Sequence, residues 1–272
     1  GDQLVEDKLI TVHVDPVSDG PTISIANASG FEDHAIALNV TIGMGDNDGS
    51  ESLTAGADIL VSGLPDGAQL GLNGVASDLI VAQPDGTWKI SSDLLTENGA
   101  IPGLTVTPPE DSHADFQLTF RATGGEGGVG DAADITHSAT VSVHVEAVAD
   151  APTVVVHDAV GTEDVIVNLG GLSAALTDVD GSEQLSVVIS GAGNAVFLNG
   201  LTGHVAGTDN GDGTWTFSSG ELAHLQMATP KDFSGSTTLT MTAFSMETGN
   251  QDIAQTSQSF TVSIDSVADT PV

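Results

Sequence analysis

The chain repeats itself, and that constrains its fold more than any single motif. Shifting the sequence by 131 residues brings Val12-His13-Val14-Asp15-Pro16-Val17-Ser18-Asp19 onto Val143-His144-Val145-Glu146-Ala147-Val148-Ala149-Asp150. The match continues downstream. Gly30-Phe31-Glu32-Asp33 falls on Gly161-Thr162-Glu163-Asp164, and Asp85-Gly86-Thr87-Trp88 on Asp212-Gly213-Thr214-Trp215. Likewise, Leu118-Thr119-Phe120-Arg121-Ala122 meets Leu239-Thr240-Met241-Thr242-Ala243. Asp-x-Pro hinges stand at Asp19, Asp150 and Asp269, so the second copy is about a dozen residues shorter, with the loss in its loops. Two divergent copies of one structural unit explain this pattern.

Within each copy, short apolar/polar alternations are separated by Gly, Asp, Asn and Pro. Thr22–Ile25, Ala35–Val40, Phe116–Phe120 and Ala139–Val145 read as half-buried strands. Residues 92–95 and 221–225 read as short helical turns, with Leu94, Leu95, Leu222 and Leu225 closing the core. The expected fold class is all-β: two tandem Greek-key β-sandwich domains of immunoglobulin or cadherin type, seven strands each, joined end to end. The expected divisions are 1–18 (with 5–14 resembling the last strand of a preceding repeat), 19–148, 149–268, and 269–272 as the start of a further linker. Trp88 and Trp215, each following Asp-Gly-Thr, read as hairpin residues delivered into the interior rather than as sugar-stacking platforms.

Against 38 Asp and Glu stand four basic side chains, Lys8, Lys89, Arg121 and Lys231, for a formal charge of -34. Nucleic acid and anionic lipid are excluded as partners on that balance, and a cation is expected. Apolar residues make up 39% of the chain, too many and too regularly spaced for disorder. With no Cys, neither disulfides nor thiolate metal sites are available to stabilise the fold. No apolar run reaches the ~18 residues of a membrane span, so direct membrane insertion is not expected. The N-terminus lacks the layout of a signal peptide.

The acids are themselves patterned. Asp46-Asn47-Asp48-Gly49-Ser50-Glu51 and Asp178-Val179-Asp180-Gly181-Ser182-Glu183 each follow a hinge by nearly the same distance. In a sandwich of this topology, Glu32, Asp33, Glu110 and Asp111 fall at one pole of the first domain, from which Asp150 departs. Asp178, Asp180 and Glu183 fall at the facing pole of the second, so one junction would collect about eight carboxylates. By repetition, Asp19, Asp46, Asp48 and Glu51 form the first domain's near pole, and Glu163, Asp164, Asp232 and Asp269 the second domain's far pole. Alternating carboxylates on a Gly-containing loop suit calcium, which takes six to eight oxygens at about 2.3–2.6 Å. Zinc prefers nitrogen and sulfur, and magnesium holds its water. Several calcium ions at the domain junctions are the expected cofactor, turning mutual repulsion into a stiff hinge; Pro21 and Pro152 limit bending beforehand. Because Lys231 stands where the first copy has Glu110, the second far pole should bind more weakly.

With its hinges, its Glu-Asp pairs, Asp-x-Asp-Gly-Ser-Glu-x-Leu, Asp-Gly-Thr-Trp and Leu-Thr-x-x-Ala, nearly the whole chain resembles the cadherin-like extender repeats of giant RTX adhesins from Gram-negative bacteria. The resemblance implies type I secretion, an extracellular cell-surface location, and calcium-rigidified modules, contacting neighbouring repeats, that project ligand-binding domains for adhesion or biofilm formation. The RTX nonapeptide itself is absent; Gly124–Asp131 only echoes it and reads as a loop.

Paired carboxylates also suit a glycosidase, but 4% aromatics and no Tyr leave little to build its cleft. The eight His (13, 34, 113, 137, 144, 157, 204, 224) show no close ligand pairing, and His13 and His144 read as strand residues. No enzyme is expected. The alternative reading is a module of the same adhesin class that holds a glycan or peptide on long first-domain loops, at 64–87 or 124–134.

Overall fold

The computed structural model describes residues 8–12, 17–45, 51–53, 58–126 and 133–268. The chain divides into two compact units, Gly1–Glu146 and Ala147–Val272. The linker, expected to divide between 148 and 149, is bonded into the second unit throughout. Asn250 Nδ2 donates to the Ala147 carbonyl at 2.8 Å, and Ala149 N–H donates to Asp252 at 3.1 Å.

In the first unit, Pro21–Ile25 pairs with Val40–Met44, while Ile36–Ala37, Leu104–Thr107 and Gln69–Leu72 continue the same layer. The other layer runs Ala28–Phe31, Ile135–Glu146, Phe116–Glu126, Ile59–Ser62, Trp88–Ile90, Ile80–Ala82; Glu51–Leu53 also pairs with Phe116–Glu126. The first strand thus changes layers at Ala26-Asn27, and its second half lies parallel to the last strand. Between the layers sit Ile36, Val61, Ile90, Leu104, Leu118, Phe120 and Val143, with Trp88 half-buried against them. All are the inward members of period-2 strands.

The second unit repeats this plan. Thr153–Val155 pairs with Ser173–Ala175; Val167–Asn168, Leu225–Ala228 and Val196–Asn199 are hydrogen-bonded in turn. The larger sheet has the order Ala159–Thr162, Ile253–Asp265, Gly235–Glu247, Glu183–Ser190, Thr214–Phe217, Thr208–Asp209. Its core is more aromatic. Phe197 meets Trp215 at 5.5 Å and Phe217 at 5.3 Å between ring centroids, both edge-to-face, an arrangement that contributes roughly 0.5–1.5 kcal/mol per pair beyond burial.

Both units exceed the expected seven strands, and the addition is local. Residues 64–87 are not an open loop: they contain Gln69–Leu72 and Ile80–Ala82, the latter forming a hairpin with Trp88–Ile90. Its turn is closed by Asp85 Oδ1, which accepts from Thr87 N–H at 3.0 Å and from Thr87 Oγ1 at 2.7 Å. Asp212 and Thr214 repeat this at 3.0 and 2.7 Å. Those bonds hold both carboxyls below their usual range, the hydroxyl contributing most.

Other local expectations need adjustment. Ala35–Val40 is interrupted at Leu38-Asn39, though Leu38 N–H still donates to Leu104 O at 2.9 Å. The helical turns are Ser92–Leu94 and Ser219–Leu222, whereas Leu225 already starts a strand. Of the expected strand at 5–14, residues 8–12 are described; they are irregular and exposed, Leu9 by 97%. An isolated strand leaves its own backbone groups unpaired, and among the described residues no ladder includes this one.

Candidate metal centre

The loop of the second unit that precedes strand Glu183–Ser190 winds around its own acids. Asp178 Oδ1 accepts from Asp180 N–H at 2.7 Å, and Asp180 Oδ1 accepts from Ser182 N–H at 2.8 Å. Gly181, at φ 98°, supplies the left-handed step between them, which a side chain would resist. This folds Asp178 inward to 1% exposure while Asp180 stays at the surface. The Ser182 hydroxyl lies 3.3 Å from Asp178 Oδ2 and 3.1 Å from Glu247 Oε1, so two carboxylates converge on one small group that has a single proton to give.

Glu247 is a residue that sequence reasoning missed. In the antiparallel ladder it lies directly opposite Glu183, and both side chains are buried, at 1% and 7% exposure. Like charges facing each other in that register destabilise a sheet, and burial makes this worse. The only Lys or Arg of this unit, Lys231, donates instead to Asp232 at 3.1 Å. Glu183 Oε1 accepts from the linker's Asp150 N–H at 2.6 Å, and the Asp150 carbonyl accepts from the Ser245 hydroxyl. The other oxygen, Glu183 Oε2, is buried and has no hydrogen-bond partner among the described residues. Burial pushes the Glu183 carboxyl above its usual range, and the charges of Asp178 and Glu247 add to this, against the opposing Asp150 N–H.

A signal for Glu247 existed. The match of Leu118–Ala122 with Leu239–Ala243 continues, four residues on, to a Glu in both copies, Glu126 and Glu247. In the first unit the ladder sets Glu126 opposite Glu51, the same register. Of the first unit's other near-pole acids, Asp46 and Asp48 lie outside the described residues, as does Asp269 at the far end; Asp19 is exposed.

At the far poles, the two Asp motifs of each unit come together as expected. Asp111 N–H donates to Asp33 Oδ1 at 3.0 Å, and Asp232 N–H donates to Asp164 Oδ1 at 3.0 Å. All four Asp occupy the left-handed region, φ 52° to 61°. Glu32 N–H donates to Glu146 O, and Glu163 N–H to Asp265 O, both at 3.0 Å. Glu32 is fully buried, Glu163 half-buried and Glu110 exposed. His144 pairs with Asp115 at 2.8 Å on the surface, in keeping with a strand residue, while His13 lies outside the described residues.

A buried carboxylate oxygen without a donor, opposite a second buried carboxylate and beside a third, fits a hard cation that takes oxygen ligands. Asp178 and Glu247, whose carboxylate oxygens come within 4.8 Å of each other, would hold it, with Glu183 opposite Glu247 in the ladder beside them. Nothing in this set offers the nitrogen or sulfur that zinc prefers.

No protein-family model matches the chain, and no curated protein matches it. Among solved structures, it is similar to the Yersinia pseudotuberculosis adhesin InvE (10% identity, TM-score 0.26, 88% of this chain and 58% of that one). It is similar also to Drosophila N-cadherin EC1-3 (12%, 0.28, 89% and 65%) and to the FN1-FN3 domains of chicken CNTN1 (11%, 0.30, 90% and 68%). The chain spans 58% and 65% of the lengths of the first two.

Proposed function

We propose that the chain is a calcium-stabilised pair of extender modules from a bacterial surface adhesin, a spacer that carries binding domains outward from the cell. The observation that carries this reading is the Glu183–Glu247 pair: two buried acids face each other, Glu183 Oε2 has no donor among the described residues, and the unit's only Lys lies in the Lys231–Asp232 pair. Ordinary burial of acids on that scale is strongly unfavourable unless a cation neutralises them. Calcium would supply that neutralisation, drawing on Asp178, Glu183 and Glu247. Asp150, bonded to Glu183 through its backbone, couples the linker to the same cluster. The repeat pattern, the −34 charge and the absence of Cys support an extracellular module that uses metal where others use disulfides.

Calcium titration calorimetry on the whole chain tests this. Dissociation constants of about 10⁻⁵ to 10⁻³ M are expected, the range of extracellular modules and weaker sensors. Hydrogen exchange at residues 147–152 should slow on calcium addition, since ligation of Glu183 fixes the acceptor of the Asp150 N–H. Absence of binding heat at millimolar calcium, with exchange unchanged, would remove the reading.

A further inference from the structure

In the larger sheet of the second unit the outward positions of the four strands from Ile253–Asp265 to Thr214–Phe217 carry no charge except Asp265 at one end, with Asp158 at the edge beside Thr261, in a chain where 38 of 272 residues are acidic. Leu239, Met241 and Ala243 point inward, so the outward positions of strand Gly235–Glu247 are Ser236, Thr238, Thr240, Thr242, Phe244 and Met246. Opposite them on Ile253–Asp265 the register sets only Ser, Thr, Gln and one Ile. The four outward positions of Glu183–Ser190 and the two of Thr214–Phe217 are uncharged as well. Cross-strand hydroxyls are bonded to one another: Thr240 to Ser259 at 2.9 Å, Thr242 to Ser257 at 2.8 Å and Ser236 to Ser263 at 3.3 Å. On the corresponding face of the first unit stand Arg121, the Lys89–Asp58 ion pair and the His144–Asp115 pair.

We infer that this face of the second unit is a self-association surface, taken up by the same face of a second copy of the chain. The argument is electrostatic. Two chains of charge −34 repel wherever their acids come within a Debye length of about 8 Å, and a face whose acids, Asp265 and Asp158, stand only at its margin is where that repulsion is least. Hydroxyls already bonded to each other lose little on leaving water, unlike free ones. Thr methyl groups, Val188, Phe244 and the 58% exposed Ile253 supply the apolar area. A neutral glycan fits less well: such ligands are held by aromatic platforms, and Phe244 is the only aromatic among these outward positions, Trp215 being buried inward. One face meeting its own image gives a two-fold pair, which closes. Four strands about 4.8 Å apart over about eight residues of 3.4 Å cover roughly 500 Å², below the ~800 Å² per partner of a stable complex. The pairing is therefore weak, and effective where many copies stand side by side.

The inference does not depend on calcium. Sedimentation equilibrium of the full chain, up to about 1 mM protein in ~0.15 M salt, with and without chelator, tests it. The wild type should gain mass toward a dimer as concentration rises. The double variant Thr240→Asp/Ser257→Asp should dissociate at least tenfold more readily, as should Thr240→Lys/Ser257→Lys. A one-to-one mixture of the two variants should associate at least tenfold more tightly than either alone. Thr119→Asp, on the first unit, should behave as wild type. Melting curves identify any variant that fails to fold, and the remaining variant then carries the comparison. A wild type that stays monomeric at every concentration overturns the inference, including one that instead binds a neutral β-glucan. So does an Asp variant that associates as the wild type does.

Discussion

The second unit has acids at both ends of its sandwich, and the two ends handle them in opposite ways. At the far pole, Asp164 and Asp232 are exposed, Asp232 N–H donates to Asp164, and Lys231 donates to Asp232. At the near pole, Asp178, Glu183 and Glu247 are buried together, while the unit's only Lys, Lys231, lies at the other end beside Asp232. The comparison teaches that counting carboxylates does not locate a metal. What distinguishes the near pole is that its arrangement is unfavourable as protein alone, whereas the far pole is adequately solvated without help.

Chelation should separate the two ends most sharply. At calcium a hundredfold above its dissociation constant, a single near-pole ion stabilises by about 2.7 kcal/mol, so scanning calorimetry should show the second unit melting about 10 °C lower in chelator. Exchanging sodium for calcium at equal ionic strength should not reproduce that shift.

Glu183→Gln should reverse sign with conditions. In chelator it removes a buried charge and should stabilise the unit, whereas in calcium it removes a ligand and should destabilise it, each by roughly 1–3 kcal/mol. A change of the same sign in both conditions would break the distinction between the poles.

The pH dependence follows from Glu183. Its carboxyl titrates above the usual 4.5, so in chelator the folded unit holds this proton after the unfolded chain has lost it. Stability should therefore fall as pH rises from 4.5 through the native pKa, and calcium should flatten or invert that slope. Urea midpoints measured across pH 4.5 to 7 check this.

The smallest effects belong to the far pole. Asp164→Ala removes one bond to the Asp232 N–H and should cost about 1 kcal/mol, equally with and without calcium. Lys231→Glu restores the residue type of the first copy and sharpens the comparison. It should tighten calcium binding at that pole by tenfold or less, since exposed charges interact weakly in water.

The sandwich layers and the pairing of Asp33 with Asp111 and of Asp164 with Asp232 follow from alternation and repetition, both visible in sequence. The extra hairpin was half visible: Asp85-Gly86 announced a turn, but nothing local says that the chain crosses from one sheet, at Gln69–Leu72, to the other, at Ile80–Ala82, just before it. Glu247 shows the deeper limit. It sits in an ordinary Ser-Met-Glu-Thr-Gly stretch with no acidic neighbour, and only the register that sets it against Glu183 turns it into half of a site. Residues 8–12 mark the reverse limit, since a strand-like pattern such as Leu9–Val12 forms a strand only where a partner offers a ladder.

The central claim is that a calcium ion neutralises the buried Glu183–Glu247 pair. Crystals of the full chain grown with calcium, with data collected for calcium anomalous scattering, test it most directly. An anomalous peak about 2.3–2.6 Å from carboxylate oxygens of both glutamates is the expected result. A well-ordered map with no anomalous peak between the two carboxyls would contradict the account.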